Sequence, residues 1–219
     1  MINSFRDITG LSKLLKILLV AGKVWAIVMV ISSALQLELI SRDSFSEEEG
    51  AANDAREQIV AILYLLLYIF TAVIFGRWIY RANKNVRALG ALGLRYTPGW
   101  AVGFFFVPIV GFWYPYQAMK DLWRASRDAP AWESITLGAV LGPWWTLWII
   151  DNILGQISFR LTDAAKDVPS LQTATVVNLT SNVIDIPLCV LALVLVSQIQ
   201  KAQTDQQARI VMPAPAVAI

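Results

Sequence analysis

The sequence predicts an all-α membrane protein, and three observations predict it. Of 219 residues, 57% are hydrophobic and only 16% charged, where a soluble domain carries about 25% charged residues. The mean hydropathy is correspondingly high, at +0.56. The apolar residues fall in runs long enough to cross a bilayer as helices, which satisfy their own backbone where no water can. Basic residues gather beside those runs, as charges that fix membrane orientation do. A single polytopic membrane domain over residues 1–200 follows, because no segment between the runs could build a core of its own.

Residues 1–13 are short and of mixed polarity. No cleaved signal peptide is expected, since the first apolar run exceeds a signal core and lacks a small-x-small cleavage site. That run, Leu14 to Leu37, is the first span and contains Lys23. Arg42 to Glu57, with Glu47, Glu48 and Glu49, reads as a solvated polar segment. The second span covers Ile59 to Tyr80 and ends in FGRWIYRANKNVR. A further apolar run covers Ile135 to Phe159, with GPWWTLWIIDN inside it, and the last covers Val176 to Ile199. Residues 201–219, KAQTDQQARIVMPAPAVAI, read as a disordered C-terminal tail.

Tyr96 to Ser126 decides the topology. It has the apolarity of a span but is interrupted by Pro98, Pro108 and Pro115 and by Gly99, Gly103 and Gly111. If it crosses the membrane, there are five transmembrane helices. If it is broken or re-entrant, there are four and both termini share a side. Short cytoplasmic loops retain excess Lys and Arg. With the N-terminus inside, four spans leave 13 basic residues inside and 4 outside, whereas five spans leave 10 and 7. Charge favours four. After Pro115, Tyr116, Met119, Leu122 and Trp123 share one helical face while Gln117, Lys120, Asp121 and Arg124 lie elsewhere. That pattern suits a helix lying at the membrane interface. The expected fold is therefore four transmembrane helices plus a Pro/Gly-broken or re-entrant aromatic segment with an interfacial helix, with five spans as the alternative.

Several chemistries are excluded outright. The chain has no histidine, which removes His-ligated haem, His-bearing zinc sites and His-dependent catalytic triads. Its carboxylates show no metal-ligand spacing, and no phosphate-binding glycine loop is present. Cys189 is the only cysteine, so no intrachain disulfide can form. A net charge of +2 without a basic domain argues against a nucleic-acid partner. No catalytic residue, metal site or cofactor is predicted, and the expectation is a non-enzymatic protein.

Ionisable groups inside a membrane are costly, so each is a functional candidate. Lys23 lies about nine residues into the first span and Asp185 about nine into the last, both near mid-depth at 1.5 Å per residue. An ion pair between them would neutralise both. Asn178, Asn182 and Asp185 recur at i, i+4 and i+7 as a polar stripe, suited to interhelical hydrogen bonds or to a substrate path. Asp151 and Asn152 lie two-thirds along the fourth run, and an acid–base pair of Asp151 and Asp185 would require the two to converge. Arg77, Arg81, Lys84 and Arg87 recur at helical intervals and suit anionic lipid headgroups, although topogenic charge explains them nearly as well. Trp100, Trp113, Trp144, Trp145 and Trp148 are candidates for an aromatic contact surface.

RWIYRANKNVRAL (Arg77 to Leu89), TPGWAVGFFFVPIVGFWYPYQAMKDLWRAS (Thr97 to Ser126) and GPWWTLW (Gly142 to Trp148) together resemble the bacterial membrane family catalogued as domain of unknown function 4328. The resemblance covers roughly Ile59 to Ile199 and implies a polytopic bacterial membrane protein. It carries over no activity and no catalytic residue. The resulting expectation is a multi-pass protein of the bacterial inner membrane with a cytoplasmic N-terminus. Its partners would be the lipid bilayer and other membrane subunits, and its role structural or accessory within a larger complex. The alternative is a small transporter or channel using Lys23, Asp185 and the Asn178/Asn182 stripe.

Overall fold

The computed structural model describes residues 4–211, and no strand occurs among them. Six α-helices follow one another: α1 (Thr9–Ile40), α2 (Glu47–Ala88), α3 (Pro98–Gly103), α4 (Tyr114–Ala125), α5 (Leu141–Ala164) and α6 (Val168–Val211). Short 3-10 turns occupy Phe104–Phe106, Val110–Phe112 and Trp132–Ser134. Three of the helices, α1, α2 and α6, are long and apolar enough to cross a membrane. At 1.5 Å per residue, the 42 residues of α2 and the 44 of α6 are each about twice as long as the ~30 Å hydrocarbon layer.

Helix ends depart from the sequence reading for identifiable local reasons. The acidic segment expected to be a solvated loop is helical from Glu47, because Ser46 and Glu49 form a reciprocal cap. The Ser46 amide donates to Glu49 Oε2 at 2.8 Å and the Glu49 amide donates to Ser46 Oγ at 3.1 Å. Glu47, Glu48 and Glu49 then complement the positive helix start. Asp7 caps α1, accepting from the Thr9 amide at 2.8 Å, and Asp167 caps α6, accepting from the Ser170 amide at 2.8 Å. The run beginning at Ile135 becomes helix only at Leu141. With Gly142, Pro143, Asp151, Asn152 and Gln156 diluting its apolar residues, α5 falls outside the helices apolar enough to cross on composition.

Residues 201–211, expected to belong to a disordered tail, continue α6 as helix and bury Gln203 and Gln206. The rest of that predicted tail lies outside the described residues.

The chain divides into two compact units. The first comprises the described parts of Met1–Lys16, Ala72–Gly142 and Leu193–Ile219. Its core holds Trp78, Ile79 and Val86 of α2, Met119 and Leu122 of α4, and Leu195, Val196 and Ile199 of α6. A polar network runs through it. Trp78 Nε1 donates to Ser12 Oγ at 2.9 Å. Gln203 Nε2 donates to the Ala82 carbonyl at 3.1 Å and Ser126 Oγ at 3.0 Å, while its oxygen accepts from Asn85 at 3.2 Å. Gln206 joins the Ala129 amide and the Ala125 carbonyl, both at 3.0 Å. Each buried amide is thereby matched, as a water-poor core requires. Gly138 lies against the Trp123 ring so closely that a Cβ there would collide with it.

The second unit comprises Ile17–Thr71 and Pro143–Ala192. Here Trp25 Nε1 donates to the Val60 carbonyl at 3.3 Å, Arg56 Nε to Ser32 Oγ at 3.1 Å, and Gln172 Nε2 to the Ile40 carbonyl at 3.0 Å. Along α2, no residue between Ala61 and Thr71 is buried.

Candidate functional site

Within the second unit, polar side chains of four helices meet. The face of α6 carrying Asn178, Ser181, Asn182, Asp185 and Cys189 supplies most of them, at spacings that keep them on one side of a 3.6-residue turn. Ser181 Oγ donates to Asp151 Oδ1 of α5 at 2.9 Å. Asn182, 7% exposed, reaches Ser33 of α1 and Asn178, each at 3.5 Å. Cys189 Sγ lies 3.8 Å from Asp185 Oδ1, and the Tyr64 hydroxyl of α2 also lies against that carboxyl. Asn152 turns back on its own helix, donating to the Trp148 carbonyl at 2.8 Å.

The expected ion pair between Lys23 and Asp185 does not form: no salt bridge among the described residues involves either. Asp185 is instead surrounded by a thiol, a phenol and the neighbouring charge of Asp151. Asp151 itself is held by Ser181, so the two carboxylates keep separate hydrogen-bond partners. Tyr64, Ser33 and Ser181 were missed. Only Ser181 had a sequence signal, since it continues the stripe one residue before Asn182.

In the first unit, Tyr96 to Ser126 is not one helix. Thr97 Oγ1 caps α3 by accepting from the Trp100 amide at 3.3 Å, with Pro98 at its first position. The chain then reverses at Ile109, whose φ of 65° and ψ of −56° form a γ-turn closed by the Val110 amide on the Pro108 carbonyl at 2.7 Å. A β-branched residue there is strained by about 1–3 kcal/mol. Ile109 is 84% exposed and Phe106 76%, so the apex of the segment is apolar and uncovered.

The amphipathic helix expected after Pro115 exists as α4, but its apolar face is not free to lie on lipid. Met119, Leu122 and Trp123 are buried in protein. Asp121, assigned to the polar side, is 3% exposed. It accepts from Arg95 Nη2 at 2.9 Å. Arg95 Nη1 also donates to Gln117 Oε1 at 3.1 Å, and the Tyr96 hydroxyl donates to that same oxygen at 2.7 Å. Burial holds the Asp121 carboxyl above its ordinary range, against the opposing pull of Arg95. Beside this cluster the Tyr96 ring meets Phe104 edge-on at 5.1 Å, and Phe104 stacks on Trp100 at 5.1 Å.

The other sequence candidates disperse. Arg77 is exposed and Lys84 sits 5.2 Å from the Tyr80 ring centroid. Arg81 is half-buried. Arg87 is committed to structure, donating to the Asn83 carbonyl at 3.0 Å and the Tyr96 carbonyl at 2.6 Å. Of the five tryptophans proposed as one contact surface, Trp100 and Trp113 are exposed, whereas Trp144 and Trp145 are buried in the second unit. There Trp145 stacks on Trp148 at 4.6 Å.

The model of a family described as a domain of unknown function (DUF4328) matches residues 42–201. The chain belongs to that family. The matched range takes in α2 to α5 and most of α6, and with them Asp151, Asp185, Arg95 and Asp121, while α1 precedes it. No curated protein matches the chain, and no solved structure does.

Proposed function

We propose that this DUF4328 protein is a multi-pass protein of a bacterial inner membrane, serving as an accessory subunit of a larger membrane complex. Four spans, α1, α2, α5 and α6, with the segment around Ile109 entering and leaving on one side, keep 13 basic residues cytoplasmic against 4 outside. The observation that carries the reading is α2. Its apolar stretch buries no residue against the rest of the chain, whereas comparable stretches of α1 and α6 bury 28% and 39%. Although Val60 and Tyr64 contact α1 and α6, the outward side of α2 with Leu65 and Ile69 stays exposed and is presented to neighbours, and packing is what drives helix association in lipid.

The test is gentle solubilisation from native membranes, with wild-type protein and with Leu65→Ala/Ile69→Ala on that face. A partner recovered with the wild type and lost with the variant is expected. Recovery of the protein alone in both cases would remove the accessory reading.

A second reading is favoured by one specific contact, Ser181 to Asp151, beside Asp185, which takes part in no salt bridge among the described residues. Carboxylates placed in this way within spanning helices suit a small transporter of protons or monovalent cations. Under that reading Asp185→Asn abolishes flux in reconstituted vesicles. Under the accessory reading it only weakens assembly.

A further inference from the structure

The cluster around Arg95 has the features of a preorganised anion site. Arg95 is a long, flexible side chain, yet Gln117 and Asp121 hold two of its nitrogens while 43% of it stays exposed. The holding groups are themselves held, Gln117 by the Tyr96 hydroxyl and Asp121 by burial in α4. A guanidinium fixed before a ligand arrives loses little freedom when it binds, and its planar fork suits phosphate.

The charges do not balance. Arg124, one turn beyond Asp121, also acts on that single carboxylate, so two guanidinium groups share one acid. Arg124 takes part in no ion pair among the described residues. Its Nε is buried without a hydrogen-bond partner, and so is Asp121 Oδ2. A buried donor such as Arg124 Nε gains from an acceptor brought to it, whereas Asp121 Oδ2, itself an acceptor, gains only from a donor. The unmatched donor and the excess positive charge both call for an anion.

The surroundings indicate what carries it. The aromatic group of Tyr96, Phe104, Trp100 and Tyr114 adjoins Arg95, with Trp100 56% exposed. Farther along the same segment, Phe106 and Ile109 present the uncovered apolar apex. A fixed cation, then aromatics, then an apolar tip reproduces the polarity gradient from headgroup to acyl chain. We propose that Arg95, supported by Arg124, binds the phosphate of an anionic phospholipid whose acyl chains lie along Trp100 and Phe106. This rests on the membrane reading above.

The test uses full-length protein in a neutral detergent, titrated with phosphatidylglycerol in mixed micelles and, separately, with inorganic phosphate. Thermal stability and lipid retained in native mass spectrometry are the readouts. Phosphatidylglycerol should raise the melting temperature and remain bound, and Arg95→Gln should weaken its half-saturating fraction by about tenfold, as loss of a charge-assisted contact does. Arg160→Gln, an exposed change in the second unit, should titrate as wild type. If Arg95→Gln folds poorly, Arg95→Lys keeps the charge without the fork and should show a smaller weakening. An equal response from Arg95→Gln and wild type overturns the site. An equal response to inorganic phosphate overturns its assignment to a lipid. Membrane fractionation separates the two failures: protein absent from membranes refutes the membrane reading, whereas protein in membranes without the lipid response refutes only the site.

Discussion

Gln203→Leu should destabilise the first unit, although residue 203 lies in a stretch that reads as a solvated tail. Its side chain is fully buried and makes three hydrogen bonds, to the Ala82 carbonyl, Ser126 and Asn85. Leucine matches its size but returns none of them. The partners are not wholly stranded, because Ser126 Oγ still donates to the Leu122 carbonyl and Asn85 still donates to the Arg6 carbonyl. The loss therefore falls near the ordinary net value per bond, and three bonds give about 2–4 kcal/mol. For a chain of this size that corresponds to a melting-temperature decrease on the order of 5–10 °C. The assay is thermal unfolding in detergent beside Asp205→Ala, an exposed change on the same helix, with tryptic cleavage at Lys201 and Arg209 followed in parallel. Both the lowered midpoint and faster cleavage are expected of Gln203→Leu alone. Equal behaviour of the two variants would show that the end of α6 is not packed, and the network argument would fall.

Gly138→Ala should cost about 1–3 kcal/mol by forcing a methyl group into the Trp123 ring, measured as a lowered unfolding midpoint. Ile109→Gly should raise stability by about 1 kcal/mol by relieving the positive φ, provided the apex stays in the same turn. Asp121 keeps its proton to a higher pH when folded than when unfolded, so its contribution is greatest below its ordinary 3.8 and declines as pH rises through the raised value. Stability measured against pH should show that decline, and Asp121→Asn should flatten it. Ser46→Ala should lower stability by about 1 kcal/mol through loss of the α2 cap, detectable in the same melts.

The long apolar runs made α1, α2 and α6 legible, since hydropathy over twenty residues overrides local propensity. Their ends were not legible by the same signal. Ser46 and Glu49 spell a capping box that a reading centred on charge took for a loop, and Gln203 is polar yet internal because its partners come from α2 and α4. The break at Pro108 was visible as a cluster of helix-breaking residues, but the turn itself falls on Ile109, a residue with no preference for it. At the candidate sites, spacing along α6 revealed Asn178, Asn182 and Asp185. Tyr64 and Ser33, which come from other helices, could not be found from spacing within one. Asp121 looked exposed because a helical wheel shows direction and not what lies beyond it.

Trp123 and Gly138 occupy one volume between them, with the indole taking all the room a side chain at 138 would need. Variation at the two positions should therefore be correlated across the family. A homologue with alanine or serine at the equivalent of 138 should carry a smaller ring or an aliphatic residue at the equivalent of 123, and Arg127, whose guanidinium lies 3.0 Å from the Trp123 ring centroid, should then be free to change as well. An alignment in which bulky residues coexist at both positions would show that α4 and the connection carrying Gly138 can separate to accommodate them.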